Sequence, residues 1–298
     1  MITVLWVMTV ASIMTAAAAL TGRNAVNATR NRTQLERAFW TASACVARTR
    51  AAIDDTLAGA PTFEVAADRW RVLDRLVLPI DLPNAADCSI TFEAAGTRLD
   101  VNSASAEMVE SLLRGIGLGD EAAGMTDALA DWRDTDDVAL PAGAERSWYE
   151  SEHRELPRNG PLADVRELAR VRGFEKFARY DTVFTTEPGR VSLATAPVSV
   201  LLAVPGFTRE TAEQIVALGV AGTPVRDVLA VLGSVSQPSI DAVMSRYADI
   251  ARVTTPDPDA WILTVRASKG LPPSTVVLSS RLVRAGRRVV VARTRSIL

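Results

Sequence analysis

Four aspartates fall within seven positions, at Asp131, Asp134, Asp136 and Asp137, and a glutamate follows at Glu145. Carboxylates this crowded repel one another unless water hydrates them or a cation neutralises them. The chemistry they offer is the binding of a hard cation through oxygen. Counted from Asp134, Asp136 takes the third place and Glu145 the twelfth, which are ligand positions in an EF-hand loop. The match fails at Val138 and Ala139, where such a loop needs an oxygen ligand and a glycine. An EF-hand is excluded. A looser calcium site stays open, with Glu150 and Glu152 as further oxygens, and so does a hydrated acidic helix end with no ion.

No other constellation carries chemistry. His153 is the only histidine, and neither a serine nor a cysteine nucleophile signature accompanies it. There is no glycine-rich phosphate loop. The chain therefore reads as no enzyme, without a small-molecule substrate. The two cysteines, Cys45 and Cys88, lie far apart with no Cys-x-x-Cys or Cys/His pairing, which argues against zinc and redox chemistry. A disulfide between them, or two buried free thiols, both remain open.

The elements around the aspartates begin with an uncharged segment, Ile2 to Gly22, just long enough to span a bilayer as a helix. A spanning anchor, a signal peptide and a buried core helix compete for it. A signal peptide should open on a basic region, and none is present. The helical spacing runs on through Val26, Leu35, Phe39, Val46 and Ile53 to about Leu57 without a proline, which favours the anchor. Arg23, Arg30, Arg32 and Arg37 follow the apolar stretch, so the positive-inside tendency alone would place that end in the cytoplasm.

Pro61, Pro79 and Pro83 punctuate a short helix around Val65 to Leu78. Cys88 to Val101 alternates apolar and polar residues and predicts a hairpin or two short strands. Helices are expected from Ser103 to about Ala251. Strands are expected at Ala260 to Val265, Thr275 to Val283 and Arg288 to Thr294, with a turn at Ala285-Gly286. Sheet segments on both sides of a helical stretch suggest an insertion into one α/β unit. That stretch has a faint repeat: Val101-Asn-Ser-Ala, a helix and Gly115-Ile-Gly117 resembles Leu193-Ala-Thr-Ala, a helix and Pro205-Gly-Phe207. Ser103 and Thr195 are the expected N-caps. Each unit is a helix-hairpin-helix pattern.

Such hairpins bind DNA when backbone amides and basic side chains meet phosphate. Here Gly119 runs into Asp120 and Glu121, and the segment from Val101 to Arg190 holds 18 acidic residues against 11 basic ones. No nucleic acid is expected as a partner; a DNA-binding or DNA-uptake protein is the alternative reading. After Asp259 no acidic residue occurs, while eight basic ones do. An acidic middle and a basic tail point to a partner.

Taken together, these segments resemble the K component of the type II secretion pseudopilus, a minor pseudopilin, over almost the whole chain. The resemblance rests on Val4-Leu-Trp-Val, Asp100-Val-Asn-Ser-Ala, Asp131-Trp-Arg-Asp-Thr-Asp, Gly143-Ala-Glu, Tyr149, Arg158-Asn-Gly-Pro-Leu, Glu167-Leu, Val171-Arg-Gly173 and Leu201-Leu-Ala-Val-Pro-Gly206, in that order. It implies an α+β, pilin-like fold: a long N-terminal helix packed on an antiparallel sheet, with a large all-α (helix-hairpin-helix, SAM-like) inserted domain. The expected division is a transmembrane part at 1–22, the rest of the helix and first strands at 23–100, an inserted domain at 101–251 with repeats at about 101–190 and 191–251, and C-terminal strands at 252–298.

The resemblance also implies a single-pass inner-membrane protein with its bulk in the periplasm. It implies a cap at the pseudopilus tip, formed with the I and J minor pseudopilins, that primes assembly for export across the outer membrane. It implies calcium, held by Asp134, Asp136 and Glu145, with Asp131, Asp137 and Glu150 as further ligands. The family has a basic leader and a glycine at which it is cleaved. Neither is in this sequence, so the expected start lies upstream of Met1 or the leader has been removed.

Overall fold

The computed structural model describes residues 2–80, 88–223 and 225–297. Helix α1 runs from Ile2 to Ala58 as one continuous rod, about 85 Å long at the α-helical rise. Ile2 to Gly22 is exposed throughout, and its apolar length fits a single membrane span. Hydroxyls within it do not break the helix, because they turn inward: Ser12 and Thr15 donate to the carbonyls of Met8 and Ala11 four residues back.

The other half of α1 buries one stripe, Gln34, Ala38, Ala42, Cys45, Thr49, Ala52, Ile53 and Leu57, at the three- and four-residue spacing of a helical face. That stripe lies on a four-stranded antiparallel sheet of order β1-β6-β7-β8. Strand β1 is Cys88–Ala94, β6 Trp261–Lys269, β7 Ser274–Ala285 and β8 Arg288–Ile297. The turn between β7 and β8 is at Gly286, whose φ of 66° suits a residue without Cβ. Trp261, Leu263, Val265 and Ala267 alternate inward along β6 and meet Ile53, Leu57, Trp70 and Leu73. The indole N–H of Trp70 donates to the Pro258 carbonyl at 2.9 Å, and that of Trp261 to the Trp70 carbonyl at 2.8 Å, so both large rings are buried with their polar ends satisfied. Cys45 and Cys88 form a disulfide that ties α1 to the edge strand β1, which decides between the two readings of the thiols.

Residues 99–255 have a separate apolar core, from Leu99 through Leu112, Leu129, Trp132 and Phe174 to Ile250. This stretch is not all helix. Strand β2 (Leu99–Asp100) pairs parallel with β3 (Phe184–Thr185), and β4 (Val191–Ser192) with β5 (Thr254–Thr255). Each two-residue pair closes the ends of a helical unit. The first unit holds α3 (Ala106–Gly115), α4 (Ala122–Arg133), α5 (Arg146–Ser151) and α6 (Tyr180–Val183). The second holds α7 (Val198–Leu201), α8 (Arg209–Val220), α9 (Gln237–Ser245) and α10 (Tyr247–Val253). Periodicity cannot foresee strands of two residues, which exist only through their partner.

Of the hairpin or two short strands expected within Cys88 to Val101, the two strands form, and β2 leaves β1 to pair with β3. Three other local expectations are corrected. The short helix expected around Val65 to Leu78 is α2 (Phe63–Arg71), capped by Thr62, followed by a 3-10 turn at Leu73–Arg75. The N-cap of α3 is Ser105, not Ser103, whose hydroxyl donates instead to Asp100 at 2.7 Å. Thr195 likewise caps nothing; α7 follows Pro197 and α8 is capped by Thr208.

Candidate metal centre

Helix α4 supplies the first carboxylates. It ends at Arg133, because Asp134 turns extended (ψ 179°). Asp131 sits on the last turn, fully buried, and its two oxygens each accept the Leu140 N–H at 3.2 Å. One turn earlier, Asp127 accepts the Ala142 N–H at 3.1 Å. Two carboxylates four residues apart on one face thus reel the 134–145 loop back over the helix that precedes it. The loop can lie this close because residue 143 is glycine: a Cβ there would stand 2.0 Å from Asp131 Oδ2.

The loop delivers Glu145, just before α5, into the same place. Ligand atoms of Asp131, Asp134 and Glu145 all lie within 4.8 Å of one another. Glu145 is 2 % exposed, and neither of its carboxylate oxygens has a well-formed hydrogen bond. Burial, then the negative charges of Asp131 and Asp134, push its carboxyl up to about 7, with the Arg146 backbone N–H offsetting this only in part. Burial also raises Asp131 above the usual carboxylate range, against the backbone N–H groups of Leu140 and Ala144. Native proteins rarely leave buried oxygens unpaired, and three carboxylates at this spacing need protons or a cation to neutralise them.

The other expected ligands stand apart. The Asp136 carboxylate accepts the Val138 N–H at 2.9 Å, and its carbonyl accepts from the Asn159 amide. Asp137 also accepts from Asn159 and lies 3.7 Å from the Arg146 guanidinium. Both are exposed because the chain leaves helical geometry at Asp134 and carries them outward, and Glu150 is exposed on α5. Asp127, Arg172 and the glycine contact at residue 143 went unrecognised as parts of the site. An aspartate four residues before Asp131 was the one available signal.

A shell fixes this loop. Tyr149 is buried between Trp132 and Trp148, with ring centroids at 5.3 and 4.9 Å. Its hydroxyl accepts the Arg172 N–H at 3.0 Å, while the Arg172 guanidinium lies 5.0 Å over Trp148 and donates to the Gly143 carbonyl at 2.9 Å. The two other marked stretches also meet: the Asn102 side chain both donates to and accepts from the Leu162 backbone, at 2.9 and 2.8 Å. The Asn-Gly-Pro-Leu run is thereby bound to the residues that open the helical stretch.

A long helix, apolar over its first part and laid on a four-stranded antiparallel sheet, with a helical stretch folded from the chain between β1 and β6, defines a mixed α+β protein whose one apolar helix is long enough to span a membrane. Residues 73–180 match the family model described as type II secretion system (T2SS), protein K. That match covers the segment holding the candidate centre and bears out the resemblance to minor pseudopilin K. A chain of the crystal structure of the GspK-GspI-GspJ complex, from the type 2 secretion system of enterotoxigenic Escherichia coli, has the same fold, with a TM-score of 0.63 and 16 % identity over 91 % of this chain and 99 % of that one. No curated protein matches.

Proposed function

We propose that this protein is a minor pseudopilin that caps the tip of the type II pseudopilus together with the I and J minor pseudopilins, and primes its assembly for export across the outer membrane. The observation that carries the reading is the protein K match over 73–180 on a fold that follows a K–I–J complex chain over nearly its whole length. Two features support it. The Cys45–Cys88 disulfide suits an oxidising compartment such as the periplasm, beyond a membrane spanned by the start of α1. The helical stretch has a core of its own beside that of the sheet, a bulk that a subunit with no neighbour above it can carry.

Calcium belongs to the same reading. Asp131, Asp134 and Glu145 would hold it, as a hard cation that takes carboxylate oxygens in flexible geometry. The unpartnered, buried Glu145 oxygens are the sign that the residues fit such an ion. The ion would join the end of α4 to the start of α5; it supplies charge neutralisation, not catalysis. The paired helices α3–α4 and α7–α8 serve in this reading as packing units of the helix-hairpin-helix kind.

The test is deletion of the gene in its own host, with secretion of a type II exoprotein measured in the medium. Secretion is expected to fall to background and to return with the wild-type chain. Undiminished secretion from the deletion strain overturns the proposal.

A further inference from the structure

Between the membrane span and the sheet, α1 carries charge that the chain itself leaves unanswered. Arg23, Arg30 and Arg37 are spaced by seven residues, all exposed, and make no ion pair among the described residues. A seven-residue step returns to the same side of an α-helix with a drift of only about 20°. The three guanidiniums therefore form a ladder along one flank, about a quarter-turn from the stripe of Gln34, Ala38 and Ala42 that rests on the sheet. Arg32 is different: it lies on the other side and pairs with Glu36 at 3.4 Å.

We infer that this ladder docks a helix of a different subunit, rising from the same membrane alongside α1 and carrying Asp or Glu at heptad spacing. The length of the ladder argues for a helix over a lipid surface. Arg30 and Arg37 lie about 12 and 22 Å beyond residue 22 along the axis. The headgroup zone is only about 5–7 Å deep on each side of the hydrocarbon, and screening removes attraction beyond about 8–10 Å. Only Arg23 is at headgroup level when α1 stands upright. The composition of α1 argues against a second copy of this chain. Glu36 is the only acidic residue before Asp54, and it is already paired. A copy would set arginine against arginine. The partner must supply the opposite charge, and this heteromeric pairing rests on the assembly role proposed above.

The experiment co-expresses the full-length chain with the I and J minor pseudopilins of the same secretion system and measures their co-purification in detergent across a salt series. The wild type is compared with an R23Q/R30Q/R37Q variant and an R23K/R30K/R37K variant. The glutamine variant is expected to bind about tenfold less partner at low salt, a loss of about 1.4 kcal/mol shared among three exposed pairs. The lysine variant is expected to retain most of the binding. Equal partner recovery by the wild type and the glutamine variant overturns the ladder while leaving the assembly role standing. Failure of the wild type to recover either partner overturns both. Both variants are also placed in phosphatidylcholine nanodiscs with and without phosphatidylglycerol. Loss of phosphatidylglycerol retention without loss of partner overturns the docking inference and assigns the ladder to lipid.

Discussion

The helix–sheet unit and the 127–145 loop both bury charge, and they resolve it in opposite ways. Beside the sheet, Arg71 is 5 % exposed and lies between Asp68 and Asp257, at 2.8 and 2.5 Å. Glu187 is also buried, and Arg293 and Arg295 from β8 stand 2.9 and 2.6 Å from it. Both of these buried charges meet their opposites from elsewhere in the chain. At the loop, Asp131 and Glu145 are buried with Asp134 beside them, and all three carry the same sign. The first region holds its own counter-charges. The second depends on something from solution, a proton or a cation, so its stability should respond to conditions that leave the first unmoved.

The largest effect that would sharpen this contrast lies in the helix–sheet unit. The disulfide joins residues 43 apart, and a cross-link over a loop of that length contributes about 4 kcal/mol through the unfolded state. The C45S/C88S variant, unfolded by urea in detergent micelles, should lose about that much, equally with calcium or with chelator. A loss that depends on calcium would show the two regions to be coupled and break the comparison.

Next comes the loop itself. With Glu145 at about 7 in the fold and an ordinary carboxyl near 4.5 in the unfolded chain, the folded state holds the extra proton. Without cation, stability is therefore highest below about pH 4.5 and declines as the pH rises to about 7, by about 3 kcal/mol in all. A bound cation displaces that proton and flattens the slope, because above about pH 5 neither state then holds it. Melting of the full chain between pH 5 and 8 should thus fall with pH in chelator and stay nearly level in calcium. The E145Q variant, neutral at every pH, should lose most of the fall in chelator. Superimposable curves in calcium and chelator would remove the proposed calcium site.

How far the sequence showed this contrast varies with the range of the signal. The α1 rod and strands β6 to β8 were readable because periods of 3.6 and 2 are written in consecutive residues; β6 only runs on to Lys269. Crowding made the acidic block visible, but not which members converge. Asp136 and Asp137 looked as good as Asp131 and are carried outward by one backbone turn at Asp134. Asp127 and Arg172 matter through contacts 15 and 29 residues away, and β2 and β4 exist only through distant partners. No local pattern encodes those.

A smaller effect tests the loop's close approach. Gly143→Ala places a methyl where Asp131 Oδ2 lies, so the loop must lift off α4 at a cost of about 2 kcal/mol. Calcium affinity, titrated by calorimetry, should fall with it, because Glu145 follows two residues later. Wild-type affinity in this variant would show that the loop is not what positions Glu145.

The smallest effect concerns Arg172, which holds the same loop from outside. Its guanidinium lies over Trp148 and donates to the Gly143 carbonyl, while its backbone N–H reaches Tyr149 and survives substitution by alanine or lysine. Arg172→Ala therefore removes one exposed charged hydrogen bond and one cation–π contact, together about 1 kcal/mol. Arg172→Lys keeps the charge but lacks the flat fork that stacks and donates at once, so it should recover only part. The contact fixes the loop carrying Glu145 whether or not an ion is bound. Urea midpoints should fall in both calcium and chelator, with the larger drop in calcium, where the ion also needs that loop in place. An unchanged midpoint in both conditions would mean that Asp127 and Asp131 alone hold the loop, and that the buried carboxylates organise their own surroundings from within.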